Sequence, residues 1–153
     1  AKKHIGKKEI AGLKSNGWIV ALWAKDKWLG TDDSKVAWCG AFVRHCIESA
    51  GFLAPKTYYR AKDWLNWGVP LTKPTEGCIV VFERQGGGHV GFVVGKDAAG
   101  NLMVLGGNQG DAVNIRPFAM SRVSGYRWPD SLPPRIGSLP LLASNGELSN
   151  NEA

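Results

Sequence analysis

The hydrophobic pattern of this 153-residue chain changes once, at Gly77, and that change limits the folds open to it. Before Gly77, apolar residues recur at helical spacing. After it they come in short β-branched runs separated by turns. The runs are Cys78–Phe82, His89–Gly95, Leu102–Asn108, Ala112–Ile115 and Val123–Trp128. The glycine loop Gln85–Gly88 joins the first two, and Asp97-Ala98-Ala99-Gly100-Asn101 has the chemistry of a hairpin turn. Helices first and antiparallel strands afterwards is an α+β order, with N-terminal helices packed on a C-terminal antiparallel β-sheet. Residues 1–130 are expected to form one domain. Residues 131–153 are expected to be an extended, partly disordered tail, since Pro129–Ala153 holds four prolines and a Ser/Asn/Glu-rich end.

The helical half reads as three segments. Lys2–Ile10 suits a short amphipathic helix with a solvated basic face, anchored by Ile5, Ile10 and Leu13. Asn16-Gly17 breaks the chain, and Trp18–Trp28 suits a second helix ended by Gly30. The third runs from Trp38 to Ser49 and stops at Gly51, with Ala41, Phe42, Cys46, Ile47 and Ala50 near one apolar face. Asp32-Asp33-Ser34 offers capping side chains before it. The alternating oxygens of a calcium loop are absent there. Ala61–Gly68 suggests one or two helical turns, with Trp64 and Trp67 divided between packing and a groove.

Cys39 opens the third helix, where the positive end of the backbone dipole favours a thiolate. Cys46, two turns on, reads as a small core residue, and His45 projects from a different side of the helix. The base is sought in the sheet. His89 begins a strand directly after three glycines, which leave its approach open. If the hairpin turns about Asp97–Gly100, opposed residues carry numbers summing to roughly 197. His89 then faces Asn108, whose amide can fix the ring's tautomer. Cys39 as nucleophile, His89 as base and Asn108 as orienter follow the Cys-His-Asn logic of thiol hydrolases. Gln109 and Asp111 are rivals for the third role. Gln109 should point to the other face if the strand continues, and Asp111 needs the chain to turn back.

A net charge of +6 favours a polyanionic partner, such as nucleic acid, an anionic membrane surface or a cell wall. The lysines crowd the N-terminal segment and no nucleic-acid module accompanies them, which argues against nucleic acid. No apolar run approaches the roughly 18 residues of a membrane span, so stable insertion is not expected. Three cysteines without a CxxC pair or zinc-finger spacing are expected to be reduced, and no metal or organic cofactor is called for.

Ala37-Trp38-Cys39-Gly40-Ala41-Phe42-Val43, Gly88-His89-Val90-Gly91-Phe92 and Leu105-Gly106-Gly107-Asn108-Gln109 resemble the motifs of the CHAP family, the cysteine, histidine-dependent amidohydrolases/peptidases. They most resemble a small phage- and prophage-associated branch related to NlpC-type cell-wall peptidases. Arg60–Gly68 and Gly125–Pro129 are similar to further blocks of that branch, so the likeness spans about Ile5 to Pro129. It implies a papain-like fold and cleavage of peptidoglycan, at the amide joining glycan to stem peptide or at a peptide bond of the stem or cross-bridge. It makes Cys39 and His89 the catalytic pair and puts Asn108 in the third position, which varies among acidic and amide residues in the family. Cys78 stands where the family often has an acid.

The implied partner is bacterial peptidoglycan. No charged-then-apolar leader opens the sequence, so synthesis in the cytoplasm and later action on the wall are expected, through a holin-type lesion or delivery on a phage tail. Two other classes stay open: an acyltransferase or deamidase acting on a protein with the same dyad, and a non-catalytic phage structural module. The sequence does not set the oligomeric state.

Overall fold

A computed structural model describes residues 1–11 and 14–152. Six strands form one antiparallel sheet: β1 (Val69–Leu71), β2 (Ile79–Arg84), β3 (Gly87–Lys96), β4 (Leu102–Gly106), β5 (Asn114–Phe118) and β6 (Val123–Trp128). Their order across the sheet is β1-β6-β2-β3-β4-β5. Two α-helices precede them, α1 (Gly17–Ala21) and α2 (Cys39–Ser49). This is an α+β layout of the papain-like kind.

The alternation of the strands sorts the core into two layers. Ile79, Val81, Val90 and Leu105 join Trp38, Phe42 and Val43 on the face that carries α2. Val80, Phe82, Val93, Val104 and Phe118 form a second cluster on the other face. Successive strand residues point to opposite faces, so β2 and β3 build both layers at once. The tryptophans mostly serve the core: Trp23, Trp38, Trp64 and Trp128 are buried, while Trp28 is exposed. Trp67 is half-buried and donates its indole N–H to the Leu53 carbonyl.

Helix α2 occupies the span expected for it and ends at Gly51, whose φ of 89° suits a residue without a side chain. Its buried face is Cys39, Gly40, Ala41, Phe42, Val43 and Ile47, while Ala50 is exposed. Gly40 lies directly under the Tyr58 carbonyl, where a β-carbon would collide with the oxygen. The hairpin register also agrees with the turn. Phe92 opposes Leu105 and Val93 opposes Val104, before a bulge beyond Val93 shifts the ladder.

Several elements differ from expectation. The helix expected over Lys2–Ile10 is a single 3-10 turn at Lys2–His4, followed by extended chain bridged at Lys8 to Ala112. Gly6 and Glu9 donate to Val113 and Asp111 carbonyls, so the segment is recruited by the sheet rather than folded on itself. Leu13 lies outside the described residues. The second helix is only α1, with a separate 3-10 turn at Lys27–Leu29; a short segment gains little from local propensity and takes its shape from its packing. Asp32 and Asp33 do not cap α2. Asp32 binds the Ser34 amide and hydroxyl, Asp33 accepts the Asn16 amide at 2.7 Å, and Asn16 caps α1. Strand β1 is not among the expected strands and holds Pro70. An edge strand tolerates proline.

The C-terminal segment is extended and crosses the face away from α2. The Leu142 amide donates to the Lys96 carbonyl at 2.8 Å, the Lys96 amide to the Pro140 carbonyl at 2.9 Å and the Ser149 amide to the Pro117 carbonyl, and Glu152 is buried.

Replacing Gly40 with alanine is expected to destabilise the fold by about 1–3 kcal/mol, because the obstructing atom is a backbone carbonyl that cannot rotate away. Denaturant unfolding of Gly40→Ala measures it. An unchanged midpoint would show that α2 does not press on Tyr58.

Candidate active site

Cys39 is the first residue of α2, and no side chain caps that end of the helix. The backbone N–H groups of Val90, Gly40 and Cys39 itself pull its thiol toward the thiolate. The last two are orphan donors of a helix start. The Val90 donor has a different origin. Just before β2, the Val93 amide donates to the Cys78 carbonyl, so odd-numbered amides of β3 face β2 and Val90 faces the β4 side. Strand β4 has ended at Gly106, leaving Val90 without a ladder partner there. A cavity of about 330 Å³ opens beside the thiol, bounded by Ala37, Tyr59, Arg60, Arg84 and Gly88 among others.

His89 is buried in β3 opposite Phe82, on the face away from α2. Its ring stacks on Phe118 at 5.4 Å with an interplanar angle of 2°, and on Phe82 at 6.3 Å. Nε2 lies 3.0 Å from Gln109 Oε1. The Gln109 amide nitrogen is surrounded by acceptors, the Val104 and Asn114 carbonyls and the Asn114 side-chain oxygen, at 3.0–3.1 Å. Its oxygen must therefore face the imidazole. Nε2 then donates, and Nδ1 carries the bare lone pair. Nδ1 is buried and has no hydrogen-bond partner, Cys39 included.

The third position thus differs from the expected one. The strand does not continue to Asn108. It ends at Gly106, and Asn108, Gly110 and Asp111 all take left-handed conformations, with φ of 58°, 59° and 62°. Gln109 is turned back beneath Gly106 and makes the bond to His89 that Asn108 was expected to make. Asn108 is buried, donates to the Glu152 carbonyl at 3.5 Å, and leaves its own oxygen unpartnered. Asp111 accepts the Glu9 amide through its backbone. His45 is within 3.3 Å of His4, a pair separate from the Cys39 site.

A family model described as CHAP domain matches residues 31–108. The chain belongs to the CHAP domain family. Membership implies an amidase- or peptidase-type hydrolase of the cell wall. The match runs from the loop before α2 to Asn108 and so takes in both Cys39 and His89. No curated protein and no solved structure shows significant similarity to the chain.

In this CHAP domain neither member of the expected pair is charged at rest. Burial pushes the Cys39 thiol up, against the pull of the Val90 and Gly40 amides and the Arg84 charge. Burial likewise brings His89 down to about 4, against the Gln109 bond and the Glu152 charge, while Arg122 and Arg84 add to the fall. The helix terminus favours a thiolate as expected, but desolvation outweighs it here. The structure brings the Cys39 thiol to the amide next to His89, while the imidazole leaves the strand on the other side.

A buried histidine held neutral ties stability to pH. Between the lowered pKa and the ordinary 6.5, the unfolded chain binds the extra proton. The contribution is therefore complete above pH 6.5 and is lost as pH falls to about 4. It amounts to about 3 kcal/mol at most. Denaturant unfolding across that window should show a steeper loss for the parent than for His89→Phe; parallel profiles would contradict a neutral buried His89. Gln109→Ala should also release the tautomer, read as a changed Nε2 signal in nitrogen NMR, whereas Asn108→Ala should leave that signal in place.

Proposed function

We propose that this chain is a peptidoglycan hydrolase of the phage lysin type, cutting an amide of the wall peptide through a Cys39 thioester with His89 as base. The observation that carries the reading is the thiol itself. Within the CHAP match it sits at a helix start and beside a cavity, and the Val90 amide that favours its thiolate belongs to the residue after His89, whose Nδ1 lone pair is unused.

The chemistry uses these parts in order. His89 Nδ1 takes the proton of the Cys39 thiol, and the sulfur bonds to the scissile carbonyl carbon. The C=O pair moves to oxygen, and the Gly40 and Cys39 amides that face the sulfur are placed to stabilise the oxyanion. Collapse breaks the C–N bond, and the Nδ1 proton goes to the leaving amine. A water molecule then loses a proton to Nδ1, attacks the thioester and frees the acid, and the thiol recovers its proton. In the resting domain the Gln109 bond to Nε2–H leaves Nδ1 as the basic nitrogen.

The first step needs the imidazole on the thiol side of β3. Beyond Phe92–Leu105, β4 has departed and leaves this edge of β3 without a ladder partner, which gives the ring its least obstructed side. Catalytic hydrogen bonds often close only in the substrate complex. The wall suits the charge of the chain as partner and as place of action, and Arg60, Lys62 and Arg84 put cations around the cavity.

Purified peptidoglycan should release new amino groups with the parent protein. Cys39→Ala should lose at least about a thousandfold of that rate, and His89→Gln a comparable amount. Mass spectrometry of the products identifies the bond. Release that survives Cys39→Ala would remove the thiol from the mechanism, and no release from any wall type would remove the hydrolase reading.

A further inference from the structure

Arg84 is the last residue of β2 and faces Gly87 across the hairpin. It borders the cavity beside Cys39 on one side and the groove holding the C-terminal segment on the other. Only one corner of its guanidinium is used by the protein. Nη1 donates to the Glu152 main-chain carbonyl at 3.1 Å. Nε is buried with no acceptor among the described residues. Arg84 also takes part in none of the ion pairs those residues form. The other cations at the cavity are engaged: Lys62 pairs with Glu83 at 3.2 Å, and Arg60 lies over the Tyr59 ring.

The unused Nε–Nη2 edge is the one that holds a carboxylate side-on by two parallel hydrogen bonds. Gly87 puts no side chain against it. A β-carbon there would lie 3.4 Å from Nη2 and 4.0 Å from Nε. A buried guanidinium N–H without a partner costs free energy that a bound acceptor would recover. Asp63, the one carboxylate on the cavity lining, belongs to the 3-10 turn Ala61–Asn66 and makes no ion pair with Arg84. The cavity thus has a free two-pronged donor beside the nucleophile, suited to a planar anion.

We propose that Arg84 is a specificity residue whose Nε–Nη2 edge binds a carboxylate of the substrate peptide next to the scissile amide. This rests on the wall-hydrolase reading and narrows it to stem peptides that carry a free carboxylate beside the cleaved bond, against those in which that group is a primary amide. It also gives the Gly87 position a reason beyond turn geometry, since any side chain there crowds the anion.

The test uses two synthetic stem peptides, identical except that the carboxylate flanking the cleaved bond is free in one and a primary amide in the other. The parent protein should show a KM about tenfold to a hundredfold lower for the carboxylate form at similar kcat. Arg84→Gln should cut both forms alike. Arg84→Lys, which keeps the charge and loses the fork, should fall between. Gly87→Ala leaves Arg84 in place and should raise KM for the carboxylate form alone. It serves as the decisive variant if thermal unfolding shows that the Arg84 substitutions do not fold.

Equal KM values for the two peptides with the parent protein, or a preference that survives Arg84→Gln, would overturn the assignment while leaving the hydrolase reading intact. If the parent cuts neither peptide, the hydrolase reading fails on its own, and titration calorimetry of both peptides with Cys39→Ala decides Arg84. Tighter binding of the carboxylate form that disappears in Cys39→Ala/Arg84→Gln supports it, and equal affinities overturn it.

Discussion

The close approach of Gly107 to Trp38 and Phe42 is the contact on which the site depends. A β-carbon at Gly107 would fall 2.6 Å from the Trp38 ring and 2.7 Å from Phe42 Cβ, so only a bare backbone can pass over the start of α2 there. That passage takes the chain out of β4. Three consequences follow from one departure. The Val90 amide loses its ladder partner and is free to favour a thiolate at Cys39. Gln109 is turned back onto His89. Asn108, left in the turn, is held from the C-terminal segment instead. Trp38 is itself fixed by its indole bond to Glu9 at 2.7 Å, and the Glu9 amide is bound to the Asp111 carbonyl of the same turn. The N-terminal segment is therefore part of the support of the site.

Electrostatically, the resting domain keeps its chemistry uncharged. Thiol and imidazole are both deeply buried, and desolvation disfavours the charged form of each. The charges nearby belong to other groups. Glu152 is buried but bonded to Arg122 at 2.9 Å and to the Ser149 hydroxyl, and those bonds hold its carboxyl below its usual range against the cost of burial. Buried polar atoms without partners are otherwise rare in folded proteins. Three of those found among the described residues, on Arg84, His89 and Asn108, belong to residues that touch one another's neighbours around this region, and the fourth is on Asp33. Unmet donors and acceptors gathered in one region are what a bound ligand would complete.

Much of the frame could be read from residue order alone. Helix α2 with its glycine stop, the β3–β4 register at Phe92–Leu105, and β6 are all local in cause: helical spacing, turn chemistry and β-branched runs. Local signals failed where tertiary pairing overrode them. The lysine-rich start has helical spacing, yet its backbone is used by the turn at Asp111–Val113. Asp32 and Asp33 are good caps by type, yet their oxygens are taken by Ser34 and Asn16. The register that correctly paired Phe92 with Leu105 was carried past the end of the strand to Asn108. The apolar run Leu102–Leu105 does not announce where the strand stops. The pair Gly106-Gly107 was the available signal, since two residues without side chains invite both a turn and a close approach.

The sequence by itself determined the chemistry: a thiol at a helix start, a histidine after a glycine loop, an amide-rich turn after the next strand, and the family to which those motifs belong. These are matters of residue type and short-range spacing, which a chain carries before it folds. The tertiary structure decided which amide meets the histidine, which face of β3 the imidazole leaves from, and whether thiol and ring are charged. Each of these depends on where distant segments stop and what they cover: β4 at Gly106, Trp38 beneath Gly107, and the C-terminal segment against Arg84 and Asn108. Burial and partner choice are set by packing between parts of the chain far apart in number, and no local pattern encodes them.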